Sequence, residues 1–132
     1  MLVVPLSELV ERLDADLLAL GTLSVALFTV NVDPTDTTVL ADLTVGQPSW
    51  CTAVVLTGYS AVAPVAGVPT ATWSAVVFTN TGGTPVDVFG YYVSDETAGL
   101  LRWSERATGA PITVPAGGTF TVFTQYTRKN QP

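Results

Sequence analysis

Carboxylates are the only abundant side chains here that could do chemistry: 11 acids stand against 5 basic residues, one cysteine and no histidine. Without histidine, the usual serine and cysteine triads and histidine-held zinc centres are excluded. A glycosidase would need two carboxyl groups about 5 to 9 Å apart across a cleft. Asp33, Asp36, Asp42, Asp87, Asp95, Glu96 and Glu105 are the candidates. Most sit beside Pro, Gly or Thr, where an acid bonds nearby backbone N–H groups and closes a turn. The run Asp33-Pro34-Thr35-Asp36 offers oxygens to calcium but lacks the alternating acids and the glycine of a calcium loop. Cys51 lies among alanine and valine and reads as a small buried hydrophobe. The glycine pairs at 82–83 and 117–118 have no phosphate-loop spacing and read as hairpin turns. The expectation is a non-enzyme, with no catalytic, cofactor-binding or metal-binding residue.

Aromatic residues raise a second possibility. Trp50, Trp73, Trp103, Tyr59, Tyr91 and Tyr92 could stack on sugar faces. On strands, such rings more often fill the space between sheets. Neighbours on a strand point to opposite faces, so Tyr91 and Tyr92 cannot enter one core. One of them must face outward or meet a partner.

These residues sit on a chain of 132, 48% hydrophobic and 12% charged. That length buries one domain core. The charged fraction is about half that of an average soluble domain, so some apolar surface is expected to need a partner. A formal charge of −6 disfavours nucleic acid and anionic membranes. Leu43 to Pro69 carries no charge but is broken by Gly46, Pro48, Gly58, Pro64, Gly67 and Pro69, so it does not read as a membrane span. Met1 to Leu6 lacks a basic region and runs into acids, so no export signal is read and synthesis in the cytoplasm is expected.

Periodicity predicts one helix over 5–20. Leu6, Val10, Leu13, Leu17 and Leu20 step by four and three along one stripe, with Ser7 as N-cap and Gly21 as terminator. The stripe either packs on the parent domain or, spaced as coiled-coil seam positions, joins copies around an axis. Beyond Gly21 the chain is rich in Val and Thr with turn signals about every ten residues. Strands are expected near 22–31, 49–60, 71–80, 84–95, 99–105, 112–115 and 119–127. The segment 39–45 is either a helical turn or a short strand, and 61–70 reads as a loop. The clearest hairpin spans Ala71 to Ser94, with a bulge at Gly90. The fold class is therefore all-β: an antiparallel β-sandwich, jelly-roll or Ig-like, with one N-terminal α-helix. The division is 1–21 helix and 22–132 sandwich.

The segments LFTVNVDPTDTTVLADLTV (27–45), VVLTGYS (54–60), TWSAVVFTNTGGTPVDVFGYYVSD (72–95), LLRWSERA (100–107) and GGTFTVFTQYT (117–127) together resemble small structural proteins of tailed bacteriophages. The likeness covers almost the whole chain. It departs at Val45-Gly46, where an acid is usual, and at Arg102, inserted before Trp103. The resemblance implies a sandwich displayed on a virion, often trimeric. The expected function is that of a capsid cement, or decoration, protein bridging major capsid subunits. The alternatives are a tail-fibre or tail-spike component, or a glycan-binding receptor module. Leu6, Val10, Leu13, Leu17, Leu20, Tyr91 and Tyr92 are the expected contacts in a homotrimer or with other virion proteins. No cofactor is implied.

Overall fold

The computed structural model describes residues 3, 5–20, 22–57 and 62–127. Among them the protein is mostly β, with four antiparallel sheets and one N-terminal helix, as the strand pattern predicts. The chain forms two compact units, each assembled from separated stretches.

Unit 1 comprises residues 1–21, 57–75 and 123–132. Its helix, α1 (Leu6–Ala19), starts after Pro5, which serves as N-cap with no side-chain capping bond; Ser7 is therefore not the cap. Gly21 lies outside the described residues. The unit's sheet has the order β11-β4-β3, from β3 (Ala63–Val65), β4 (Val68–Thr72) and β11 (Gln125–Thr127). Helix α1 packs on β4 and touches β3. It buries Leu9, Leu13 and Leu17, stepping by four. The helix thus packs within unit 1, on this sheet. Within the segment 61–70, expected as a loop, residues 63–70 form the β3–β4 hairpin. Ala66 and Gly67 carry φ of 50° and 77°, the pair of left-handed residues that a type I′ turn needs. Pro64 faces Pro69 one step beyond the closing pair. That is a non-hydrogen-bonded position, so neither missing N–H removes a rung between these strands.

Unit 2 comprises residues 22–56 and 76–122. Its main sheet runs β2-β1-β7-β8, from β1 (Leu23–Phe28), β2 (Val54–Val55), β7 (Gly90–Asp95) and β8 (Leu100–Arg106). Two smaller sheets pair β5 (Val76–Thr79) with β10 (Thr119–Val122) and β6 (Val86–Val88) with β9 (Ile112–Val114). Every residue of β1 is buried, so both faces of the main sheet are covered. One face carries Val25, Leu27 and Val93, all fully buried. The other carries Ala26, Phe28 and Tyr92 under Leu43 of α2 (Leu40–Leu43), the helical turn that the 39–45 segment adopts. Among the described residues of the 49–60 segment, Ser49–Cys51 is a 3₁₀ turn and Val54–Val55 pairs with β1, while 58–60 lie outside the described residues.

The expected hairpin from Ala71 to Ser94 does not form, because β5 pairs with β10 while β6 pairs with β9. Both glycine-pair turns are crossings from one sheet to the other, and buried Asn80 ties them together. Its side-chain amide donates to Thr84 O at 2.9 Å and Val114 O at 3.0 Å. Its Oδ1 accepts from Gly82 N at 2.9 Å. Its backbone bonds both Gly117 N and Gly118 O at 2.8 Å.

The expected bulge also moves. Gly90 is in register opposite Phe28 and Arg106. A Cβ there would strike the Glu105 carbonyl oxygen and approach the Phe28 ring to 2.6 Å, so close packing, not a bulge, excludes a side chain. The irregularity falls where Val93 pairs with Trp103 and Ser94 with Leu101, leaving Arg102 without an opposite residue. Arg102 is thus the bulged residue. Its guanidinium reaches the buried Asp95 carboxylate at 2.7 Å.

Candidate functional site

The acids are largely occupied with local structure. Asp95 accepts from Thr97 N at 2.9 Å and Ala98 N at 3.1 Å, closing the β7–β8 turn. Asp42 accepts from Val39 N at 2.9 Å at the start of α2. Asp87 accepts from the Thr113 hydroxyl at 2.6 Å, and Glu105 from the Tyr91 hydroxyl at 3.0 Å. The 33–36 turn is bound through threonine: Thr35 N donates to Thr38 Oγ1 at 2.8 Å. Among the described residues no three His, Cys, Asp or Glu side chains gather closely enough to hold a metal ion. Among them too, no helix is long and apolar enough to cross a membrane.

The expected contact residues divide. Leu13 and Leu17 are spent inside the chain against β4 and β3. Leu6 is exposed, and Val10 and Leu20 are half-buried. Leu9, which the stripe reading passed over, is buried instead of Leu6. Tyr92 is buried, and its hydroxyl meets the Gln47 amide nitrogen at 3.0 Å. That same nitrogen lies 2.8 Å from Leu27 O, so Gln47 pins the segment after α2 onto the sheet. The face that carries Tyr92 is thereby covered by the chain's own residues 40–47, rather than by solvent or a partner. Tyr91 is half-buried on the other face. Its pKa is pushed up first by burial and then by the Glu105 carboxylate. Of the other aromatics, Trp73 is buried and Trp50 and Trp103 half-buried, so their rings offer little open face for stacking; Tyr59 lies outside the described residues.

Cys51 is fully enclosed, and burial pushes its thiol from 9.0 up to about 12. A thiol that stays protonated and covered does not attack. Ellman's reagent at pH 8 is expected to leave folded protein unlabelled and to titrate one thiol once denaturant is added. Fast labelling without denaturant would show that the site opens. Burial raises Tyr92 as well. In each case the fold keeps the proton that the unfolded chain releases. Stability from these groups is therefore whole below about pH 9 and falls as pH rises beyond it.

The described surface of unit 2 has an open concavity, of about 510 Å³, between α2 and the β7–β8 turn. Val39, Leu40 and Ala41 form one wall, and Gly99, Leu100 and Leu101 the other. Val39 is 56% exposed and Leu100 52%. Asp95 shapes this wall by holding the turn, and Asp42 shapes the other by starting the helix. The sequence signal was present but faint: paired leucines at 100–101 straight after a turn cannot both face one core. Nothing local says that 39–41 lies opposite them.

Comparison of the chain with family models, curated proteins and solved structures finds no match.

Proposed function

We propose that the chain is a non-enzymatic structural protein of a tailed-bacteriophage virion, a capsid cement protein that bridges neighbouring major capsid subunits. The observation that carries the reading is the kind of surface the fold exposes. Its concavity is walled by Val39, Leu40, Leu100 and Leu101, a lining suited to covering by another protein. Of the candidate acids, Asp42, Asp87, Asp95 and Glu105 close turns or bond neighbouring side chains. The whole-chain likeness to small phage structural proteins supplies the virion setting.

The role is mechanical. Each bound copy adds buried area across a seam between capsid subunits. A homotrimer would clamp several subunits at once, so that weak contacts hold together through effective concentration. Trimer contacts would come from surfaces other than Leu13 and Leu17, which the chain already uses.

Antibody-gold against the chain is expected to decorate the heads of intact particles. Light scattering is expected to give three times the 13.8 kDa chain mass. Labelling confined to tail tips would replace cement by a fibre or spike role. Absence of label on particles would overturn the virion reading, and a monomer at high concentration would remove the trimer.

A further inference from the structure

We propose that the groove between α2 and the β7–β8 turn binds a short apolar segment of a different protein, flanked by lysine or arginine. This deepens the reading of the chain as a protein-binding structural component and rests on it. The groove is longer than one pocket. A second depression, lined by Pro34, Asp36 and Trp103, shares Thr38 and Leu101 with the first. A third, reaching Glu96, shares Leu40, Thr44 and Gly99 with it. The result is a trough with an aliphatic middle and a carboxylate towards each end.

Its charge is one-sided. Asp36 and Glu96 stand at the two ends, and Asp42 rides on α2. Arg102 also lines the Asp36 end, but its charge is balanced there by the buried Asp95 carboxylate at 2.7 Å. Aliphatic walls between acidic ends complement an apolar segment with basic flanks. A second copy of this chain fits poorly, because it brings its own acidic excess to the contact. Each arginine among the described residues is already engaged: Arg12 with Glu8 at 3.1 Å, Arg102 with Asp95, and Arg106 with Val32 O at 2.9 Å and over the Phe89 ring. Strand addition along β8 is also disfavoured, because the bulge at Arg102 breaks the regular ladder of an edge strand. Recognition is therefore by side chains dropping between Val39 and Leu100.

The test is selection of a displayed random dodecapeptide library on the immobilised full chain. Selected peptides should pair aliphatic residues with flanking Lys or Arg, and their binding should weaken with salt. Val39→Ser with Leu100→Ser, at two exposed positions, should leave the melting temperature nearly unchanged and weaken the selected peptides about tenfold or more. Asp36→Lys with Glu96→Lys should do the same by charge, while Val77→Ser on β5 should change nothing. Peptides without basic flanks, peptides indifferent to these variants, or failure of any sequence to enrich would each overturn the proposal. So would a wild-type multimer that Leu100→Ser dissociates, since that would give the groove to a second copy. Particle labelling together with a failed selection would leave the virion role standing and remove only the groove. Successful selection without particle labelling would do the reverse.

Discussion

Leu13→Asp is expected to unfold unit 1 rather than to dissociate an assembly of folded subunits. Leu13 is completely buried between Leu9 and Leu17 on the helix face that meets β4 and β3. The change removes a packed leucine and leaves a carboxylate with no water. Together these cost on the order of 4 kcal/mol or more, a large part of the stability of a domain this size. Far-UV circular dichroism should show lost helix, and the melting transition should fall sharply or split. Leu18→Asp is the control, because Leu18 is 71% exposed five positions along the same helix and should tolerate the charge. A Leu13→Asp protein with an unchanged melting curve and a smaller mass in solution would instead make Leu13 a seam between copies.

Asn80→Asp is expected to damage unit 2 almost as much while changing hardly any volume. The Asn80 side chain is buried and gives its NH₂ to two carbonyl oxygens, those of Thr84 and Val114. In the variant a carboxylate oxygen would face those carbonyls. Two hydrogen bonds become two repulsions, a loss of about 3 to 4 kcal/mol. The pH dependence has a definite sign. The new carboxyl is stabilised in its protonated form, so its folded pKa lies above its unfolded one. The deficit against wild type should shrink as pH falls, because the protonated group can again donate one bond. Denaturant midpoints of both proteins between pH 4 and pH 8 would check this. A deficit independent of pH would mean that the loop has rearranged around the substitution.

What was legible in the sequence follows the range of the signals. Helix α1 and strands β1, β5, β7, β8 and β10 announce themselves within ten or fifteen residues, through a 3.6-residue period or a run of β-branched side chains. The helix face was harder, because the leucines allow two overlapping stripes and only β4 and β3 choose Leu9 over Leu6. Pairing partners were less legible still. A Thr-Gly-Gly turn looks the same whether it closes a hairpin or carries the chain between sheets. What decides is Asn80 meeting Val114, a contact made far along the chain. The breakers in 61–70 hid a hairpin, since Ala66-Gly67 is an unusual pair for a type I′ turn. The turn role of Asp95 was visible from its neighbours. The groove was not, because its walls come from 38–44 and 99–101 and neither stretch is distinctive alone.

The assembly of unit 1 from separated stretches has a consequence during synthesis. Helix α1 emerges from the ribosome well before β4, the strand it packs on, and β11, which pairs with β4, emerges later again. The leucine face of a nascent helix therefore waits uncovered while unit 2 is still being made. Helices this short hold together poorly without a packing surface. Such a face is a natural target for chaperones, and its final burial depends on contacts distant in sequence, which form slowly.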